Sequence, residues 1–107
     1  MQKILIIEDD PFLSEMYAAK FNQAGFEVGV AIDGKDGLKK VEEDKPDLIL
    51  LDIVLPKADG FEVLEKIKNN KELEKIPVIL LTNLGQKEDV DKGLKMGADE
   101  YIIKAHF

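Results

Sequence analysis

Five short apolar runs recur along the chain: Ile4–Ile7, a weaker Phe26–Ala31, Leu48–Leu51, Val78–Leu81 and Tyr101–Ile103. Continuous runs of this kind, rather than period-two alternation, predict strands buried on both faces. Between them apolar positions recur with a helical period. Leu13, Met16, Tyr17, Phe21 and Ala24 form one stripe, opened by Asp10-Pro11 as cap and first residue and closed by Gly25. Asp33 caps a second helix through Asp44, ended by Lys45-Pro46. Phe61, Leu64 and Ile67 define a third after Asp59-Gly60, and Val90 with Leu94 a fourth that stops near Gly97. Few anchors and an interior Gly93, which costs about 1 kcal/mol against alanine in a helix, predict that this fourth helix is the most loosely held.

Strands alternating with helices from end to end predict an α/β fold, a doubly wound five-stranded parallel sheet with right-handed crossovers. Such sheets bind ligands beyond the carboxyl ends of their strands. Glu8, Asp9, Asp52, Thr82 and Lys104 each follow an apolar run. The topology therefore predicts that they converge on one rim.

Composition narrows the chemistry. The chain has 107 residues, enough for one small domain, and at 45% hydrophobic residues it can build a core. It has no cysteine, which excludes disulfides, thiolate metal sites and cysteine nucleophiles and suits a reducing cytosol. No apolar run approaches the roughly 18 residues of a membrane span, so no membrane partner is expected. Acidic residues outnumber basic ones 22 to 15, a formal charge of −7, which argues against direct nucleic-acid binding.

Charge also defines the rim. Two carboxylates about 4 Å apart repel by on the order of 4 kcal/mol at an effective dielectric near 20, and Lys104 alone cannot neutralise Glu8, Asp9 and Asp52. A hard divalent cation can, and an all-oxygen site with few protein ligands suits Mg2+. Rival α/β sites fail on particular residues. The turn after the first strand is Glu8-Asp9-Asp10-Pro11, which repels the anion that a phosphate cradle binds. There is no GxxxxGK[ST] and no GxSxG, and the only histidine, His106, is next to the C-terminus. A phosphatase with an aspartate nucleophile needs a second acid two residues on, where this chain has Val54.

The segments ILIIEDD, PDLILLDIVLPKADG, PVILLT and GADEYIIK, in this order and at these intervals, resemble the receiver domain of two-component response regulators over essentially the whole length. The resemblance implies a flavodoxin-like strand order 2-1-3-4-5 and a cytoplasmic signalling switch rather than a multiple-turnover enzyme. It implies that Asp52 accepts a phosphoryl group from a sensor histidine kinase or phosphotransfer protein, and that the domain assists its own phosphorylation and dephosphorylation. Asp9, Asp52 and the Val54 backbone carbonyl would ligate Mg2+, with Glu8 acting through a bound water. Thr82 and Lys104 would contact the phosphoryl oxygens. Thr82 and Tyr101 would form the switch that reports to a downstream output protein or domain, although a partly buried strand aromatic is an equal reading of Tyr101.

The chain departs from the family's pattern at three places. Asn83 follows Thr82 where a small residue is usual, which predicts a narrowed approach to Asp52. Ala105 follows Lys104 where proline is usual, so a trans bond, or a strained cis one costing about 3 kcal/mol, must aim Lys104. The chain stops at Phe107, before the family's fifth helix. The expectation is a receiver domain over 1–107, truncated before its last helix, that is marginally stable alone or self-associates through the face this helix would cover. A docking module that keeps the fold and acidic rim without being phosphorylated is the alternative function.

Overall fold

The computed structural model describes residues 2–55, 59–83 and 86–104. Strands and helices alternate: β1 (Lys3–Ile7), α1 (Pro11–Gln23), β2 (Glu27–Ala31), α2 (Gly34–Asp44), β3 (Leu48–Asp52), α3 (Gly60–Lys68), β4 (Val78–Thr82), α4 (Lys87–Lys95) and β5 (Glu100–Ile103). The strands form one parallel sheet in the order β2-β1-β3-β4-β5. Both the parallel doubly wound sheet and its strand order match the sequence reading.

Helix starts follow the capping chemistry. Asp10, Asp33 and Asp59 each accept hydrogen bonds from backbone N–H groups in the first turns of α1, α2 and α3. Gly25 and Gly97 leave α1 and α4 at positive φ, 96° and 114°, which glycine tolerates without Cβ strain. The first three helices thus have a built-in start. No side-chain hydrogen bond caps α4.

Two layers flank the sheet. One core cluster joins Leu5, Ile7, Ile49, Leu51 and Leu80 to residues of α2, α3 and α4. The other sets Ile4, Ile6, Leu50 and Leu81 against Tyr17 of α1. On this α1 side Leu48, Ile79 and Ile102 are only partly buried. The expectation of strands covered on both faces holds for the central β1, β3 and β4. It fails for β2 and β5, which lie at the sheet edges with one strand neighbour each and keep partly exposed residues.

Two boundaries move inward on the site. Asp52 and Thr82 are the last residues of β3 and β4 rather than the first beyond them. The backbone ladder carries on for one residue after the apolar side chains stop, pairing Asp52 with Leu81 and Thr82 with Ile103. Because β3 lies between β1 and β4, this fixes Asp52 at the centre of the rim.

Gly93 has a packing role that its helix propensity does not reveal. A Cβ there would lie 2.4 Å from Leu80 Cδ1, so the missing methyl lets α4 settle on β4.

Candidate functional site

The carboxyl ends of β1 and β3 carry the acidic groups. The backbone N–H of Glu8 donates to the Ala31 carbonyl at 3.0 Å, extending the β1–β2 pairing by one residue and turning Glu8 under the rim. Glu8 is completely buried and Asp52 is 3% exposed, whereas Asp9 faces solvent. Carboxylate oxygens of Glu8, Asp9 and Asp52 lie within 4.8 Å of one another. Asp10 is the α1 cap, accepting from Phe12 N at 2.9 Å and Leu13 N at 3.3 Å. The two adjacent aspartates therefore divide the work, one for the helix and one for the cluster.

Lys104 reaches in from the end of β5. Its Nζ donates to Asp52 Oδ2 at 2.9 Å and stands 2.9 Å from Glu8 Oε1. The latter approach is an ion pair without hydrogen-bond geometry, so the buried Glu8 Oε1 keeps accepting capacity. The other Asp52 oxygen, Oδ1, accepts from Val54 N at 3.1 Å. Val54 itself is exposed, at the start of the β3–α3 connection. The Asp52 carboxylate is thus held from both sides in one orientation.

Burial pushes the Glu8 carboxyl above its usual range, with the neighbouring Asp52 adding to the rise and Lys104 opposing it. Loss of water and then the Glu8 charge raise Asp9 as well. Burial alone would lower Lys104, but the Glu8 and Asp52 carboxylates outweigh it and the ammonium is held above its ordinary range. Three carboxylates against one ammonium leave two negative charges when all are ionised. An all-oxygen donor set, one underused buried oxygen and a solvent-facing Asp9 fit a hard cation that keeps several waters, as Mg2+ does.

Across the rim, Thr82 is buried at the end of β4. Its hydroxyl has two acceptors within hydrogen-bond distance, Gln86 Oε1 at 3.0 Å and the Asn83 carbonyl at 3.1 Å. Thr82, Asn83, Gln86, Val90, Leu94 and Tyr101 line a cavity of about 220 Å3 between α4 and β5. Tyr101 is 42% exposed at its edge. Asn83, expected to crowd Asp52, is exposed and lines this cavity. The Lys104–Ala105 peptide, His106 and Phe107 lie outside the described residues.

The structure thus brings together Glu8, Asp9, Asp52 and Lys104, with Val54 touching Asp52 through its N–H, and sets Thr82 with Tyr101 around the neighbouring cavity. Gln86 was not anticipated. No motif announces it, and only the i to i+4 spacing from Thr82 hints at contact. A fastening of α3 was equally unforeseen. Gly60 N donates to Ile53 O at 2.9 Å, and a Cβ on Gly60 would fall 2.5 Å from the Asp52 carbonyl oxygen. Only glycine lets α3 begin this close to the strand that carries Asp52.

Comparison with known proteins bears on this arrangement. The family described as response regulator receiver domain matches residues 4–106. The DNA-binding dual master transcriptional regulator RpaA of Synechocystis is 42% identical over 104 residues, covering 97% of this chain and 43% of that protein. The alkaline phosphatase synthesis transcriptional regulatory protein PhoP of Bacillus subtilis is 38% identical, covering 96% of this chain and 42% of its own length. The chain therefore spans less than half of these relatives. Among solved structures, a putative response regulator from Chloroflexus aurantiacus superposes with a TM-score of 0.93 at 28% identity, covering 97% of this chain and 85% of the other. Chemotaxis response regulator CheY4 of Vibrio cholerae gives 0.91 at 28% identity, covering 97% and 87%.

Proposed function

This chain belongs to the response regulator receiver domain family, and on that premise we propose that it is a phosphorylation-dependent signalling switch whose phosphoacceptor is Asp52. The observation that carries the proposal is the pairing of Asp52 with Lys104 at 2.9 Å inside a cluster of three carboxylates. Such a carboxylate is buried, oriented and adjacent to a fixed cation, as phosphoryl transfer requires.

In the proposed reaction an Asp52 oxygen attacks phosphorus in line with the P–N bond of a phosphohistidine. The new O–P bond makes an aspartyl phosphate. The P–N pair stays on the imidazole, which leaves neutral after taking up one proton. The Val54 N–H keeps one Asp52 oxygen directed, and the Lys104 ammonium stabilises charge on the transferring group. Thr82 provides a hydroxyl donor for a phosphoryl oxygen once it arrives, and Tyr101 lies across the cavity to register that movement. Asp9, Asp52 and the Val54 carbonyl would hold Mg2+, with Glu8 acting through a bound water, and the ion would supply positive charge that offsets the charge of the transferring group. Water attacking the aspartyl phosphate at the same site would return the switch to rest.

The proposed donor is a sensor histidine kinase or phosphotransfer protein in the cytoplasm. The proposed receiver of the signal is an output domain or protein. Regulators with "DNA-binding" in their names among the relatives support that direction, while the charge of −7 argues against direct DNA contact by this unit. Self-association through the α1 face belongs to the same proposal, supported by the partly buried Leu48, Ile79 and Ile102 there, and light scattering tests it.

The deciding experiment is intact mass after treatment with acetyl phosphate and Mg2+. One phosphoryl group should be gained, and Asp52→Asn should abolish the gain. No gain with any small donor would replace this reading with that of a docking module.

A further inference from the structure

The Thr82 hydroxyl has a single proton, and its position defines a constraint on the switch. Gln86 Oε1 accepts from Asn83 N at 2.7 Å and from Thr82 Oγ1 at 3.0 Å, and the Asn83 carbonyl is a second acceptor for the same hydroxyl at 3.1 Å. The backbone N–H settles which end of the amide points inward, because a donor can face only the oxygen. Gln86 is also the residue at the N-cap position of α4, yet its side chain makes no bond to the helix. It is turned back onto β4 instead. Thr82 is 1% exposed, so its hydroxyl must keep a protein partner in either position.

We propose that Gln86 is a positioning residue that holds the Thr82 proton away from Asp52 and so sets the threshold at which phosphorylation moves the switch. One proton cannot serve Gln86 Oε1 and a phosphoryl oxygen on Asp52 together. The two bonds exclude each other. An amide oxygen is a neutral acceptor, whereas a phosphoryl oxygen is charged and forms a bond roughly twice as strong. Thr82 therefore stays with Gln86 at rest and transfers when the phosphoryl group arrives. That transfer leaves Gln86, the residue from which α4 begins, held by Asn83 N alone, at the start of a helix with no side-chain cap. The Asn83 carbonyl stays available in every variant, so the threshold falls by the share of the hold that Gln86 supplies and rises with a charged acceptor at position 86.

The inference rests on the phosphoacceptor reading, and its test separates the two. The full chain is titrated with beryllofluoride, a non-covalent mimic of a phosphoryl group, in Mg2+ by calorimetry. Gln86→Ala should bind it more tightly, by up to about fivefold because the Asn83 carbonyl remains as a second acceptor, and Gln86→Glu about fivefold more weakly, the scale of one ordinary net hydrogen bond. Both differences should vanish when Thr82 is replaced by valine, which keeps the shape and removes the proton. A Gln86→Ala gain that persists beside Thr82→Val reports a loosened α4 and overturns the proposal, as does no gain at all in a protein that binds the mimic normally. A wild-type chain that neither binds it nor gains mass from acetyl phosphate overturns the phosphoacceptor reading itself, and the latch with it.

Discussion

Replacing Lys104 with methionine keeps most of the side-chain stem and removes the cation between two buried acids. Side-chain exposure is 14% for Lys104, 0% for Glu8 and 4% for Asp52, so solvent cannot replace the lost charge. At 2.9 Å each ion pair is worth about 6 kcal/mol at an effective dielectric near 20, before desolvation is counted. Removing one partner of such a group typically costs about 3–5 kcal/mol, a large part of the roughly 5–15 kcal/mol that stabilises a domain. Glu8 offers an escape. Its carboxyl is already raised by burial, and Lys104 opposes that rise, so the variant should raise it further. The folded variant then binds a proton that the unfolded chain releases above its ordinary pKa of 4.5. Stability must therefore fall as pH rises through the window between the two values, and more steeply than in the wild type. Urea unfolding in EDTA at pH 5 and pH 7.5 measures this. The expected loss is about 3–5 kcal/mol at pH 7.5 and clearly less at pH 5, and adding Glu8→Gln should recover at least half of it. A loss below about 1 kcal/mol, the scale of an exposed pair, would refute the reasoning. So would a double variant weaker than Lys104→Met.

Mg2+ should raise the melting temperature in proportion to its binding; Asp9→Asn should weaken that response yet stabilise the metal-free chain, and a metal-free variant that melts lower would show that Asp9 supports α1 instead. Gly60→Ala forces a Cβ to within 2.5 Å of the Asp52 carbonyl oxygen, so it should cost about 1–3 kcal/mol and slow mass gain from acetyl phosphate, whereas normal labelling would mean that α3 shifts freely. Burial, then the Glu8 charge, raises the Tyr17 phenol above its ordinary 10.0, so its contribution is complete below pH 10 and lost as pH climbs through the raised value. Tyr17→Phe should flatten the alkaline fall in stability, and an unchanged slope in a pH series of melts would contradict this.

The sequence is most explicit where one physical cause dominates. Ile4–Ile7, Leu48–Leu51 and Val78–Leu81 become the central strands because two covered faces demand unbroken apolar runs. Topology then places Glu8, Asp9, Asp52 and Lys104 together without reference to their side chains. Signals weaken at the edges. β2 starts at Glu27 rather than Phe26, and β5 takes in the charged Glu100, because an edge strand needs less apolar cover. Pair identities were illegible. That Lys104 bridges Glu8 and Asp52, or that Gln86 turns away from its own helix, depends on rotamers set by neighbours distant in sequence. Gly60 and Gly93 read as a helix start and a weak helix interior, and only coordinates show the Cβ positions they leave free.

The helices α3 and α4 flank one site but are fastened to the sheet by different materials. Main chain ties α3, through Gly60 N and the Ile53 carbonyl, and no side-chain replacement can alter that bond except by occupying the space at Gly60. A side-chain amide ties α4, through Gln86, and a single codon changes it. Variation therefore has unequal access to the two halves of the site. On the proposed reading, the main-chain hold of α3 on the strand of Asp52 is shielded from it, while the sensitivity of the response is open to retuning. In the proposed switch, substitution at position 86 can shift how readily the chain answers a signal while the main-chain fastening beside Asp52 stays the same.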